Sequence, residues 1–441
     1  MKRPILVLCA LACPAAALAD AQPEWPTKAW RCVMERFYSP RTSLIYDFRT
    51  GEGEAGLIGS LPTPQEIKAC QPCATGWSSG MEDSVLNGGP MLLAAVFRWE
   101  VTKDEEARRD GLKIFHGLVR CAEVSGIEGF VARSVSPVDG KSFFPNSSRD
   151  QYTLFVCAMW RFSRSEMAGD AQAPERIKAR KLLVAVARFS EKSVLPENKY
   201  CLMRADGKPA YVSQMWTATP GVADDRLWLS VYGGIGPHEA TRLPMFYAAA
   251  YSVTGDRHWR EMELKYADQA IEMANGRWGE KGAGFAVFQA QVAQRLLYET
   301  ETDPVRKAKY LALLRRWAAY AVCCADKHEK YLAAAKGNVY RYADDWRTLR
   351  KEPIGFYGES KSVWTADYEA VFEALREASE GPLNARLAPG VSVPARCQKA
   401  MDDLYGTLDY SRVPNVAGVI HALTAYWFDA FERRMNADLM K

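Results

Sequence analysis

The sequence has no uninterrupted apolar run of eighteen residues, so nothing in it reads as a membrane-spanning helix. It also lacks any block of basic residues, which leaves nucleic acid and anionic membranes without an electrostatic footing. Histidine is scarce, at five in 441 residues, and none is spaced with carboxylates or cysteines as a metal site requires. Cys70-Gln71-Pro72-Cys73 is a lone CxxC. A zinc centre needs a second ligand pair, so a local disulfide or ordinary loop cysteines are expected. There is no GxGxxG to cradle a nucleotide. Neither metal nor cofactor is expected.

What is present begins with a secretory leader. Lys2 and Arg3 precede the short apolar run Ile5 to Ala12, and Ala17-Leu18-Ala19 offers a small-x-small cleavage site before Asp20. Residues 1–19 are read as signal peptide, and the mature chain as periplasmic or secreted. Two of the eleven cysteines lie in the leader, leaving an odd number in the mature chain. No Pro-, Gly- or Ser-rich linker divides residues 20–441, which are read as one large domain.

Apolar residues recur at helical spacing, as in Met91-Leu92-Ala95-Val96-Trp99 and Val419-Leu423-Tyr426-Trp427. The pattern predicts helices near 29–37, 80–101, 104–124, 150–166, 174–192, 237–254, 256–275, 281–300, 303–327, 362–378, 394–408 and 412–437. A repeat runs through them. Thr102-Lys103-Asp104, Thr254-Gly255-Asp256 and Thr300-Glu301-Thr302-Asp303 each join two helices, with the Asp placed as N-cap of the second. The period is roughly fifty residues, one helical hairpin. Tight turns at these places and long segments at 125–149, 193–236 and 328–361 suggest two unlike rims. The expected fold is all-α, a single (α/α)6-type toroid with its pocket at the long-loop rim.

Two acidic clusters open helices with apolar bodies. Glu82-Asp83 precedes Leu86, Met91 and Leu92, and Arg149-Asp150 precedes Leu154, Phe155 and Ala158. Either Asp can simply be an N-cap, worth about 1 kcal/mol. Two charged clusters at the mouths of core-facing helices exceed what capping requires. A pair of carboxyls is what glycosidic cleavage needs, one protonated to assist the leaving oxygen and one to activate water or stabilise the cation.

The order Gly80-Met81-Glu82-Asp83-Ser84, Gly129-Phe130-Val131-Ala132-Arg133 and Arg149-Asp150-Gln151-Tyr152-Thr153 resembles the six-hairpin glycosidases, and among them the unsaturated glucuronyl hydrolases and glucuronidase-type enzymes. The likeness covers roughly residues 76–165. It implies that Asp83 and Asp150 fall on the paired acidic positions, with Glu82 an alternative to Asp83, and that the substrate is an oligosaccharide.

A second cluster is Gly233-Gly234-Ile235-Gly236-Pro237-His238-Glu239-Ala240-Thr241-Arg242. It reads as a Gly-rich turn, or as a rim that binds a sugar carboxylate through His238, Glu239 and an arginine fork. Arg133, Arg149 and Arg242 are the candidate forks. Trp77, Trp216, Trp228, Tyr232, Trp346, Phe356 and Tyr357 fall in the long segments, where aromatic faces suit sugar rings. His116 and His421 lie in apolar runs and read as core histidines. The reading is an exo-acting glycoside hydrolase on uronic-acid-containing oligosaccharides. The alternatives are a polysaccharide lyase, with Tyr152 or His238 as base and an arginine neutralising the uronate, and a non-catalytic binding protein.

Overall fold

The computed structural model describes residues 23–217, 235–276, 284–325, 339–349 and 366–439, with short pieces at 329–330, 333, 351–354 and 359–362. The leader, Trp228, Tyr232, Gly233, Gly234, Phe356 and Tyr357 lie outside the described residues.

Among the described residues there are twelve helices of eight residues or more: α1 Trp25–Cys32, α2 Ser84–Thr102, α3 Glu105–Glu123, α4 Arg149–Arg164, α5 Pro174–Ser193, α6 Arg242–Thr254, α7 Arg257–Ala274, α8 Gly284–Thr300, α9 Pro304–Ala325, α10 Ala366–Leu387, α11 Ala395–Thr407 and α12 Ala417–Leu439. Strand structure is confined, in the described residues, to three two-stranded antiparallel ribbons.

The helices sort into two kinds by burial. In α2 every residue from Val85 to Arg98 except Leu86 is buried, and in α6 the whole run Arg242 to Ala250 is buried. Such helices must be enclosed on all sides. In α3 the buried residues form a stripe, Ala107, Asp110, Ile114, Phe115, Leu118 and Cys121, and in α7 the stripe is Trp259, Glu263, Tyr266, Ala270 and Ala274. These are outer helices with one wet face.

Packing gives the arrangement. Each inner helix pairs with its outer partner, α2 with α3, α4 with α5, α6 with α7, α8 with α9 and α10 with α11. Helix α12 takes α1, from the other end of the chain, as its sixth partner. The inner helices touch in the order α2, α4, α6, α8, α10, α12, and α12 packs back on α2. The ring is closed: an (α/α)6 toroid.

The three Asp caps stand where their local sequence puts them. Asp104 Oδ1 accepts from Glu106 N–H at 2.9 Å, Asp256 Oδ1 from His258 N–H at 3.0 Å, and Asp303 Oδ1 from Arg306 N–H at 2.8 Å. These tight turns lie at the C-terminal ends of inner helices, so all six inner N-termini share the long-loop rim. Several boundaries differ from the sequence reading: α1 starts at Trp25 and not near 29, α2 at Ser84 and not near 80, and α12 at Ala417 and not near 412. Helix α10 runs through Pro382 to Leu387 instead of ending near 378, and α6 begins at Arg242, because 237–241 form turns.

Ion pairs gather at the tight-turn end of the inner helices. Arg161 reaches across to Glu299 at 3.4 Å, and Arg295 donates to Glu299 at 2.5 Å and to Glu432 at 3.0 Å. Arg161, Arg295 and Glu299 line a cavity of about 40 Å³ together with Leu93, Cys157, Val292, Leu296, Leu383 and Phe428.

The N-terminal ribbon Tyr38–Ser39/Leu44–Ile45 crosses α3 at Gly117, where a Cβ would stand 1.9 Å from the Ser43 carbonyl oxygen. Alanine is the better helix former by about 1 kcal/mol. Gly117→Ala is nonetheless expected to destabilise the protein, by about 2–3 kcal/mol of overpacking. A urea midpoint that falls supports this packing, and one that rises contradicts it.

Candidate functional site

Five inner helices contribute polar residues at or near their N-terminal ends: Asp83 and Asn87 at α2, Asp150 and Gln151 in α4, Arg242 in α6, Gln289 in α8 and His421 in α12; α10 contributes Arg376 and Glu380 from its middle. The first turns carry unpaired backbone N–H groups and the positive end of the helix dipole, which suits anionic side chains.

Neither central aspartate caps its helix. Asp83 occupies the N-cap position of α2 but makes no side-chain cap bond, and Asp150 lies inside the first turn of α4 behind Ser148. Their carboxylates are held from the side instead. Asp83 Oδ1 accepts from Arg133 at 2.9 Å and from Gln151 Nε2 at 2.8 Å. Asp150 Oδ1 is ion-paired with Arg242, whose other NH2 group donates to Gln289 Oε1 at 2.6 Å. Gln151 also donates to the Glu82 carbonyl at 3.1 Å and accepts from Leu86 N–H, so α4 grips the start of α2.

Exposure separates the functional groups from their supports. The side chains of Asp83 and Asp150 are 27% and 32% accessible, while their partners Arg133 and Arg242 are at 4% and 1%. Burial pushes the Asp83 carboxyl above its usual range. Arg133 pulls it down, and the nearby Asp150 charge pushes it up again.

Glu82, offered by the sequence as an alternative catalytic acid, does a different job. It is buried, and its two oxygens accept from Ser78 N–H at 3.1 Å and Gly80 N–H at 2.6 Å. It shapes the turn before α2, in which Ser78 and Gly80 have φ of 66° and 82°. Burial, then the Asp83 charge, raises its carboxyl to about 7.

The expected carboxylate-binding arginines are committed to protein partners. Arg133 holds Asp83, and Arg242 holds Asp150. Arg149 is ion-paired with Glu239 and donates to the Gln214 carbonyl at 3.2 Å. Glu239 also takes Gly236 N–H at 2.8 Å and lies 3.2 Å from His238. Burial works against its charge, but Arg149 and His238 hold its carboxyl down at about 2. The cluster 235–242 is therefore a knot of internal ion pairs.

Tyr152 is enclosed as well. Its ring is buried, near Phe189 and Phe246, and its hydroxyl accepts from Val131 N–H at 3.1 Å. A base for proton abstraction cannot be sited there. Trp216 is buried edge-on against Tyr266 of α7, and Trp346 is buried with its Nε1 donating to the Ser60 carbonyl, so neither is a sugar platform. Trp77 is exposed beside the turn before α2.

Two residues, Asp47 and Arg376, were not read from the sequence, and His421 was read only as a core histidine. Asp47 lies buried beside Glu82 and Asp83. His421 is no plain core histidine, since its Nδ1 is 3.2 Å from Glu380 Oε1 and its ring lies against Phe288. Arg376 donates to the same Glu380 oxygen at 2.9 Å. For Arg376 and His421 the signal was weak, a charged or polar residue at an inward position of an otherwise apolar helix; Asp47 lies outside any helix, where no periodicity marks it.

No family model matches the chain, and no curated protein matches it. Among solved structures it is similar to the glycoside hydrolase family 76 mannosidase of Bacteroides thetaiotaomicron VPI-5482. The two are 10% identical, the match covers 94% of this chain and 99% of that one, and the TM-score is 0.46.

The raised Glu82 carboxyl has a measurable consequence. Between its unfolded value of 4.5 and about 7 the fold holds a proton that the unfolded chain has released, so this group makes stability fall as pH rises through that window. Glu82→Gln is expected to flatten the slope by up to about one proton. Urea unfolding at a series of pH values measures it, and equal slopes in the two proteins would refute the assignment.

Proposed function

We propose that the chain is an exported glycoside hydrolase in which Asp83 and Asp150 share the acid and base work at the N-terminal rim of the inner helices. The observation that carries the reading is the pair itself. Two accessible carboxylates stand at the N-termini of neighbouring inner helices, neither spent on capping, each clamped by a buried arginine.

In this reading Asp83, pushed up by burial, is the acid. It passes its proton to the glycosidic oxygen as the bond to the anomeric carbon breaks. Asp150, paired with Arg242, is the base. It takes the proton of the water that attacks the anomeric carbon, or stabilises the oxocarbenium ion directly. Arg133 and Gln151 orient the acid, and Arg242 orients the base.

The uronate specificity expected from the sequence rested on Arg133, Arg149 and Arg242. All three hold protein carboxylates, so the proposal extends to oligosaccharides without a commitment to uronic acid. Elimination is not favoured, because Tyr152 is buried and His238 is tied to Glu239.

A panel of neutral and uronate-bearing oligosaccharides, read by product mass and near-ultraviolet absorbance, tests the reaction. Hydrolysis adds water, and an unsaturated product with rising absorbance would overturn the proposal. Asp83→Asn and Asp150→Asn are each expected to lower kcat by about a thousandfold with folding retained. The pH profile of kcat/KM adds a signed test. Arg133 pulls the Asp83 carboxyl down, so Arg133→Gln should let the acid keep its proton to higher pH and move the alkaline limb upward. A limb that stays or moves down argues against Asp83 as the acid.

A further inference from the structure

We infer that Asp47 is a positioning residue for Asp83, acting through the Asp83 backbone; the inference rests on the glycoside hydrolase reading. Asp47 comes from the segment after the N-terminal ribbon, far from α2 in sequence. Its Oδ2 accepts from Asp83 N–H at 2.9 Å, and its Oδ1 accepts from Asn87 Nδ2 at 2.7 Å. Both oxygens are therefore used on α2, one at the residue before the helix and one a turn into it.

The backbone of Asp47 is fixed from two other directions. Its carbonyl accepts Val416 N–H at 3.1 Å, just before α12, and its N–H points to the Gly80 carbonyl at 3.4 Å. Phe48 bridges to Asn415, and Arg49 N–H donates to the Pro414 carbonyl at 2.8 Å. Asp47 thus sits at the seam where the first and last inner helices meet, braced against both.

Asp83 needs such a brace. Its backbone, with φ −132° and ψ 24°, is not helical, and its side chain does not cap. The contacts to Arg133 and Gln151 fix the carboxylate at its tip, and the bond to Asp47 fixes the peptide at its root. Two anchored ends set the direction of a short side chain. Without the root anchor the carboxylate swings, and a displacement of about 1 Å can cost about a hundredfold in rate.

A bland role as buried filler is hard to reconcile with the residue type. Asp47 is 5% exposed and has Glu82 and Asp83 as neighbours, so its charge is costly where it stands. An anchor for two N–H donors accounts for it.

The test uses the full chain and the oligosaccharide that the wild-type protein cleaves. Asp47→Ala is expected to lower kcat about a hundredfold, with KM changed less than about threefold. Asp47→Asn, which can still accept from Asp83 N–H while the Asn87 amide turns over, should recover to within about tenfold of wild type. A merely structural residue would lower the melting temperature and leave kcat alone. Asp47→Ala that folds and keeps its kcat, or a loss that Asn does not relieve, overturns the inference. Should the alanine variant not fold, Asp47→Glu decides, since it keeps the charge but displaces the acceptor. Lowered kcat with unchanged KM supports positioning, and wild-type kcat overturns it. Asp83→Asn and Asp150→Asn run in parallel. If they remain active, the acid–base reading fails; if they are inactive while Asp47 variants are not, only the role of Asp47 fails.

Discussion

The packing of α12 on α2 is the contact on which the rest depends. More than three hundred residues separate the two helices, and without their contact the six inner helices would form an open arc. The seam is sealed along its length. The 46–49 segment spans it at the N-terminal rim, Thr424 donates to the Pro90 carbonyl at 3.0 Å, and Phe97 meets Phe428 with ring centroids 5.0 Å apart. Closure points all six inner dipoles the same way. The positive ends converge at one rim and collect Asp83, Asp150 and Glu239, while the negative ends converge at the other, where Arg161 and Arg295 lie. The rim carboxylates, each with its arginine, and the cluster of Arg161, Arg295, Glu299 and Glu432 at the other end follow from that one constraint.

That constraint explains how the rim tolerates so many carboxylates. Asp47, Glu82 and Asp83 lie together where burial alone would push each toward its neutral form. Backbone and side-chain N–H groups answer most of this cost. Glu82 takes two amides, Asp47 an amide and a carboxamide, and Asp83 a guanidinium and a carboxamide. Removing one partner is therefore more disruptive than the bond it makes, because the remaining charge stays buried.

The helices and the hairpin repeat were legible because their signals are local. A hydrophobic period and a Thr-x-Asp turn act over a few residues, and Asp104, Asp256 and Asp303 cap as their surroundings dictate. Asp83 and Asp150 stood out for a related reason, as charge in excess of capping at the mouth of an apolar helix. What was not legible is set by contacts between hairpins. Arg242 and Asp150 are 92 residues apart, and Gln151 and Asp83 are 68 apart. From the sequence each arginine looked available to a ligand, and only the ring shows that each has a carboxylate opposite. His116 and His421 share the same kind of apolar run, yet His116 faces solvent on an outer helix and His421 faces the bore. Period alone does not say whether a helix is inner or outer.

Glu82 and Asp83 show how finely the outcome depends on backbone direction. They are adjacent, both acidic, and both precede the same helix. The turn at Ser78 and Gly80 bends the chain back, so the longer Glu82 side chain folds onto the amides behind it. The next residue, at the helix entrance, points the opposite way, between Arg133 and Gln151 at the rim. Exchanging the two residue types would leave the charge pattern unaltered. The shorter Asp at position 82 would no longer span both amides, and a Glu at 83 would overreach Arg133. The acidic pattern that identifies the site in the sequence is thus insufficient to build it. The order of side-chain lengths along the turn decides which carboxylate supports the loop and which faces the pocket.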